Sequence, residues 1–254
     1  MLISLIVATY NAESTLRNCL DSIVPQLNED CELIVVDGGS IDETRKIIHS
    51  YQQYISYSVS EPDRGIYDAW NKGIKIAKGQ WIAFVGADDT LLADAVETYL
   101  NVIKATPNIE AYDYICAKNE HVDMKGSLLK VIGEEPKWSI MRKRMAPAHV
   151  GSLHNRHNLF GMVGNYDFES FHICADYELL MRKRDGLKYL MLSNHIARMK
   201  VGGMSFSTKA IVETFMIRKK HHSVPYLYNY LLFIRDWVLF AFFIIRKRMM
   251  GANF

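Results

Sequence analysis

Trp81-Ile82-Ala83-Phe84-Val85-Gly86-Ala87-Asp88-Asp89 reads as a short buried strand that runs directly into two acids. The run is rich in aromatic and branched residues and is bounded by Gly79 and Gly86, which suits a strand covered on both faces. Acids at its carboxyl end sit where open α/β sheets bind their ligands. Adjacent carboxylates repel each other, so the pair calls for strong donors or a cation. A hard divalent ion carrying a diphosphate meets that need, while a solvated turn is the plainer alternative. An earlier strand, Leu33-Ile34-Val35-Val36, ends in the same way on Asp37.

Working outward, the first hundred residues alternate strand and helix. Leu2–Thr9 reads as a strand, and Ser14–Val24 as a helix stopped by Pro25. Strand Glu32–Val36 follows, then helix Asp42–Tyr51 with Asp42 as N-cap, and strand Tyr54–Val59. Helix Ile66–Ala77 closes on Gly79 as a C-terminal cap, and helix Leu91–Lys104 follows the Trp81–Val85 strand. Such alternation predicts a mainly parallel sheet flanked by helices. After Pro107 the pattern becomes mixed. Tyr112–Lys118 and Ser127–Ile132 flank Asp123-Met124-Lys125-Gly126 as an antiparallel hairpin. Helix Ala175–Arg184, short strands Tyr189–Leu192 and His195–Met199, and a helix from Ser207 to about His221 complete it. Three parts are expected: a nucleotide-binding half at 1–106, an acceptor half at 107–206, and a helical segment at 207–254.

With 254 residues, 49% of them apolar, the chain can bury a large core. A net charge of +2 gives no reason to invoke nucleic acid. Four scattered cysteines without a C-x-x-C pair favour reduced thiols and a cytoplasmic setting. Leu2–Val7 lacks a basic flank and a cleavage site, so it is expected to be a strand and not a signal peptide. Phe233–Ile245 is almost wholly apolar, but Arg235 and Asp236 interrupt it and Arg246-Lys247-Arg248 closes it. It falls short of a clean spanning helix, and an interfacial helix on an anionic inner membrane face fits better than a core or oligomer helix.

Three strand ends crowd one sheet edge: Ala8-Thr9-Tyr10-Asn11, Asp37-Gly38-Gly39-Ser40 and Ala87-Asp88-Asp89. Asp37 is an acceptor that complements the imide N–H of uracil, Asp88 can accept ribose hydroxyls, and Asp89 can ligate a metal. A dinucleotide-binding G-x-G-x-x-G turn after the first strand is absent, since that stretch is Thr9-Tyr10-Asn11-Ala12-Glu13.

These segments, together with Glu61-Pro62-Asp63-Arg64-Gly65-Ile66-Tyr67-Asp68-Ala69-Trp70-Asn71-Lys72-Gly73, resemble the family 2 glycosyltransferases of GT-A fold, of the kind that builds bacterial surface polysaccharides. The resemblance spans roughly residues 1–205, with four motifs in the family's order. It implies an inverting transfer from a nucleoside diphosphate sugar, UDP-linked, with Mn²⁺ or Mg²⁺ as cofactor. Asp37 would meet the base, Asp88 the ribose and Asp89 the metal, with Thr9 and Tyr10 lining the nucleoside pocket and Arg64 reaching the base or a phosphate. One departure is Ala87, where the family's metal motif often carries a third acid. Asp176, in Ala175-Asp176-Tyr177-Glu178, resembles the family's general base, kept ionised by the helix dipole, and Glu178 is the second choice. His149 resembles a position beside the acceptor, and Gly202-Gly203-Met204-Ser205 a loop near the diphosphate. His149, His154 and His157 would need a further ligand to hold zinc. The expected acceptor is a saccharide or lipid-linked saccharide reached by peripheral membrane contact. The alternatives are a polyprenyl-phosphate sugar synthase and a non-catalytic nucleotide-binding protein at the membrane.

Overall fold

The computed structural model describes residues 1–123, 126–200 and 207–249, the stretch 246–249 by backbone alone. The Gly202–Ser205 loop and the tip of the expected hairpin at Met124-Lys125 lie outside the described residues. Strands β1 (Ile3–Thr9), β2 (Cys31–Asp37) and β4 (Trp81–Gly86) are buried at every position, which is why they read as continuous apolar runs. Between them come α1 (Leu16–Ile23), α2 (Thr44–Ser50), β3 (Tyr57–Ser60) and α3 (Ile66–Ile76). Then follow β5 (Thr90–Leu91), α4 (Ala95–Ala105), β6 (Tyr114–Val122), β7 (Leu128–Ile132), α5 (Trp138–Met141), β8 (Leu153–Asn155), α6 (Ala175–Met181) and β9 (Tyr189–Lys200). Helices α7 (Thr208–Lys220) and α8 (Tyr226–Met249) end the chain.

One sheet runs in the order β3-β2-β1-β4-β8-β6-β9-β5, with β7 paired to β6. The first four strands are parallel, β8 joins antiparallel to both β4 and β6, and β6 pairs parallel with β9. The parallel-then-mixed expectation holds. Strand order reverses between β1 and β4, the switch point at which such sheets take ligands.

Several boundaries differ from the sequence reading. The helix expected from Leu91 begins at Ala95, because Thr90–Leu91 is drawn into the sheet by β9. The two short strands near residue 190 are one strand with register shifts against β6. Asp42 is not the N-cap of α2. It lies one residue earlier and accepts from the amides of Thr44 and Glu13. Gly79 is not a helix cap either. Its amide donates to Ser4 Oγ, and an added Cβ would lie 2.5 Å from the Ser4 nitrogen, so its lack of a side chain serves close approach to β1. Gly73 serves packing in the same way, since a Cβ there would meet Ile6 Cγ2 at 2.6 Å, and α3 therefore lies tight on β1.

Helix α8 packs on α7 along one narrow stripe. Arg218 of α7, fully buried, donates to Asn229 Oδ1 at 2.6 Å, Lys143 O at 2.8 Å and Asp236 Oδ2 at 3.2 Å. Asp236 also pairs with Arg235, so the charges that interrupt the apolar run neutralise each other. Leu227, Leu231, Ile234, Val238, Leu239 and Phe242 stay exposed. Tyr226–Ile245 is long and apolar enough to cross a membrane, a test that core helices also pass, although this one is only 11% buried.

Candidate active site

The parallel register places Thr9 beside Asp37, Asp37 beside Ser60, and Ala8 beside Gly86, so the three strand ends form one row. Two loops lock together above it. Asn11, at φ 45°, donates its amide to Ser40 Oγ and accepts from the Ile41 amide. Tyr10 beside it is well exposed, whereas Thr9 is buried with its Oγ unpartnered.

Asp37 is fully buried. It accepts from the Ser40 amide at 3.0 Å, the Ser40 hydroxyl, and Ser60 Oγ at 2.5 Å. Its oxygens are thus engaged in holding the turn Asp37–Ser40, in which Gly39 adopts φ +84°. The next acid in space is Asp63. A Cβ on Gly38 would lie 2.5 Å from Asp63 Oδ2, so the missing side chain makes the room that this carboxylate occupies. Asp63 Oδ1 accepts the Gly65 amide at 2.9 Å, and burial raises the carboxyl above its ordinary range. Arg64 is exposed. Its guanidinium lies 4.4 Å from the Phe168 ring centre and pairs with Glu169 at 3.2 Å, which ties it to the second half of the chain.

At the end of β4, Gly86 again makes room for acids. A Cβ there would fall 2.9 Å from Asp89 Oδ2 and 3.0 Å from Asp88 Oδ1, so both carboxylates close over one spot. Asp88 is exposed and Asp89 buried. Asp89 has one weak donor, the Gly86 amide at 3.3 Å, and burial and then the charge of Asp88 push its carboxyl well up. A buried carboxylate so poorly supplied with donors, beside a second acid, fits a hard cation whose remaining ligands are phosphate and water. No group of three or more His, Cys, Asp or Glu side chains with metal-binding geometry occurs among the described residues. Ala87 is consistent with that count, and the three histidines do not form such a group.

The Glu61–Gly73 motif builds the acceptor side. Lys72 donates to Pro62 O at 2.8 Å and fixes the loop before α3. Asn71 clamps the backbone of Tyr166, donating to its carbonyl at 2.9 Å and accepting from its amide at 3.0 Å. The Tyr67 hydroxyl lies 2.6 Å from Ile173 O and 3.0 Å from Asp176 Oδ1. Asp176 opens α6 and also accepts the Tyr177 amide at 2.8 Å. The dipole argument for Asp176 needs correcting. Burial outweighs both hydrogen bonds and lifts its carboxyl to about 6. Such a group is ionised at neutral pH and still basic enough to take a proton. Glu178 has a different part. Although buried, it is held down to about 2 by His221, Arg182 and Lys220, and it serves as an anchor for α7.

His149 lies behind Asp176, with Nδ1 3.9 Å from Asp176 Oδ2. Its ring stacks on Phe84 at 5.7 Å and packs against Trp70 at 5.0 Å and His154 at 4.9 Å. Neither ring nitrogen has a partner, and burial lowers the imidazole to about 3, which keeps it neutral. His149 is therefore a backing residue under the candidate base, and His154, whose Nδ1–H donates to Ile82 O and Ser152 O, lies deeper in the same aromatic cluster.

The sequence profile of glycosyl transferase family 2 matches residues 4–169. The chain belongs to this family. A glycosyltransferase of Mycobacterium bovis described as acting in PGL/p-HBAD biosynthesis is 32% identical over 182 residues, 70% of this chain and 68% of the relative. Among solved structures, Staphylococcus aureus TarS 1–349 in complex with UDP superposes with a TM-score of 0.69 at 19% identity, covering 92% of this chain and 70% of TarS 1–349. The mannosyltransferase PcManGT of Pyrobaculum calidifontis, in complex with GDP-Man and Mn²⁺, gives 0.65 at 14% identity over 99% of this chain and 76% of its own. The fold is thus that of the GT-A glycosyltransferases, a curled mixed sheet with helices on both sides.

Sequence reasoning missed Asp63 and Tyr67, although both lie in a quoted motif. The signal was present in α3, where Tyr67 and Asn71 interrupt an inward face shared with Trp70 and Ile74. Polar groups on a buried face need partners, and here those partners are the loop and helix that carry Asp176.

Proposed function

We propose that this glycosyltransferase moves a sugar from a UDP-linked donor to an acceptor hydroxyl with inversion at the anomeric carbon, with Mn²⁺ or Mg²⁺ as cofactor. The observation that carries the reading is Asp176: a half-buried carboxylate without a fixed cation beside it among the described residues, lifted to about 6, on the acceptor side of a sheet edge with the two acids Asp88 and Asp89. A phosphate acceptor would need no such base, so the geometry favours a hydroxyl nucleophile over a polyprenyl phosphate.

In this reading Thr9, Tyr10 and Asp37 shape the nucleoside pocket, Asp37 by holding its turn. Asp63 presents Oδ2 to the imide N–H of the base, and Asp88 accepts from the ribose. Asp88 and Asp89 would hold the divalent ion, which when bound neutralises the diphosphate of the leaving nucleotide. Asp176 removes the proton from the acceptor hydroxyl as its oxygen attacks the face of the sugar opposite the diphosphate, a contribution of about 10²–10⁴-fold. Neutral His149 and the Tyr67 hydroxyl keep the carboxylate in place without adding charge. The acceptor is a saccharide on a lipid carrier, and the apolar faces of α8 bring the enzyme to the inner membrane surface where such acceptors lie.

The test is a thermal-shift screen of UDP, GDP and their common sugar conjugates, with and without Mn²⁺. A ligand at a hundred times its dissociation constant stabilises by about 2.7 kcal/mol. Metal-dependent stabilisation by UDP compounds alone is expected. Equal shifts with GDP, or none that depend on metal, would overturn the donor assignment.

A further inference from the structure

Helix α7 lies beyond the portion matched by the family profile, and its Glu213 is buried. That carboxylate accepts three consecutive backbone amides: His172 at 3.0 Å, Ile173 at 2.9 Å and Cys174 at 2.8 Å. Three adjacent N–H groups turned onto one anion form a nest. Here the anion is the protein's own, and the nest is the segment that leads into α6 and Asp176. The same segment is held from the other side, because Ile173 O contacts the Tyr67 hydroxyl that also reaches Asp176. Farther along, Lys220 and His221 bind Glu178, so α7 grips α6 at two points.

The direction of those three amides has a chemical consequence. A carboxylate that accepts several backbone N–H bonds becomes a weak base. Asp176, two residues past the nest, takes none of those three amides among the described residues; it accepts from Tyr177 N, with the Tyr67 hydroxyl 3.0 Å away. The remaining groups that face it are His149 from the segment before β8, Tyr166 from the loop before α6, Tyr114 from β6 and the Cys174 thiol. Among the described residues none of them supplies a fixed cation.

We propose that Glu213 is a positioning residue for sugar transfer: by gathering the amides of residues 172–174 it fixes the segment that carries Asp176 and withholds those donors from the Asp176 carboxylate. The inference rests on Asp176 being the base. Losing Glu213 frees three donors beside Asp176 and admits water, and both changes make Asp176 a weaker base.

The experiment follows the Asp176 carboxyl by ¹³C NMR titration in the full chain, assigned by its absence in Asp176→Asn, alongside release of UDP from UDP-GlcNAc with Mn²⁺. In Glu213→Ala the Asp176 midpoint is expected to fall by at least about half a pH unit, and turnover by roughly tenfold or more, with UDP affinity within about twofold. Glu213→Gln, which keeps one acceptor oxygen and the same shape, should shift in the same direction by less, and it carries the test if the alanine variant does not fold. A purely structural role would lower melting temperature and leave the midpoint in place. An unmoved midpoint in both variants, with Asp176→Asn inactive, overturns the Glu213 inference alone. Wild-type turnover by Asp176→Asn overturns the base assignment and the catalytic meaning of Glu213 with it.

Discussion

Asp176→Asn should make the ligand-free protein more stable while making it inactive. The carboxyl of Asp176 rises from an ordinary 3.8 to about 6 on folding, chiefly through burial. A raised acid disfavours the folded state once it ionises. The penalty is absent below the unfolded value, grows as pH climbs through the window from about 4 to 6, and is complete above it. At roughly 1.4 kcal/mol per pH unit, the full cost is about 3 kcal/mol. The side chain is only 18% exposed, so solvent screening removes little of this. Asparagine carries no charge and still accepts the Tyr177 amide, so most of the penalty disappears. For a chain of this size the gain corresponds to a melting temperature higher by on the order of 5–10 °C at pH 7.5, shrinking towards zero near pH 4. Paired melts of both proteins across that range, without nucleotide or metal, read the difference directly and cancel every other titrating group. Transfer should drop by about 10²–10⁴-fold. A stability difference that is flat from pH 4 to 8 would show that Asp176 ionises normally, and would refute the argument from burial.

Asp89→Ala should abolish metal-dependent UDP binding in calorimetric titration and leave the fold intact, because Asp89 has one weak donor in the free protein. Asp63→Asn and Asp37→Asn should separate two roles. The first is expected to weaken UDP binding without loss of melting temperature. The second should lower melting temperature by disrupting the Ser40 and Ser60 bonds. Leu239→Glu with Phe242→Glu, both exposed on α8 beyond Asp236, should cut co-sedimentation with anionic vesicles at low and high salt, since apolar insertion is not screened. Unchanged sedimentation would remove α8 from the membrane.

How much of this could be read from residues alone varied along the chain. Continuous apolar strands and their terminal acids were legible because a strand buried on both faces must be apolar at almost every position, and an acid that breaks such a run marks its end. Thr90–Leu91 was not, because a two-residue strand exists only through its distant partner Ala197–Arg198. Asp37 and Asp63 show the same limit within the site. A sequence gives both as acids near glycine, but which one keeps a free oxygen depends on Ser60, twenty-three residues away in one direction, and on the space above Gly38. For Asp176 the sequence suggested the helix dipole as the force that sets its charge, whereas burial dominates, a product of Tyr67, Tyr166 and His149 packing around it.

Arg218 determines where this protein may be divided. Its guanidinium has no access to water, and two of its three partners, Asn229 and Asp236, belong to α8. A chain ended at Val224 would lose both partners and uncover the face of α7 that α8 now covers. The first three turns of α8 are therefore part of the fold's foundation, and the stretch beyond Asp236 lies outside that contact. The start of α8 and the rest of the domain form one folding unit, so a shortened chain that is to keep its fold has to end after Asp236, with the first three turns left in place.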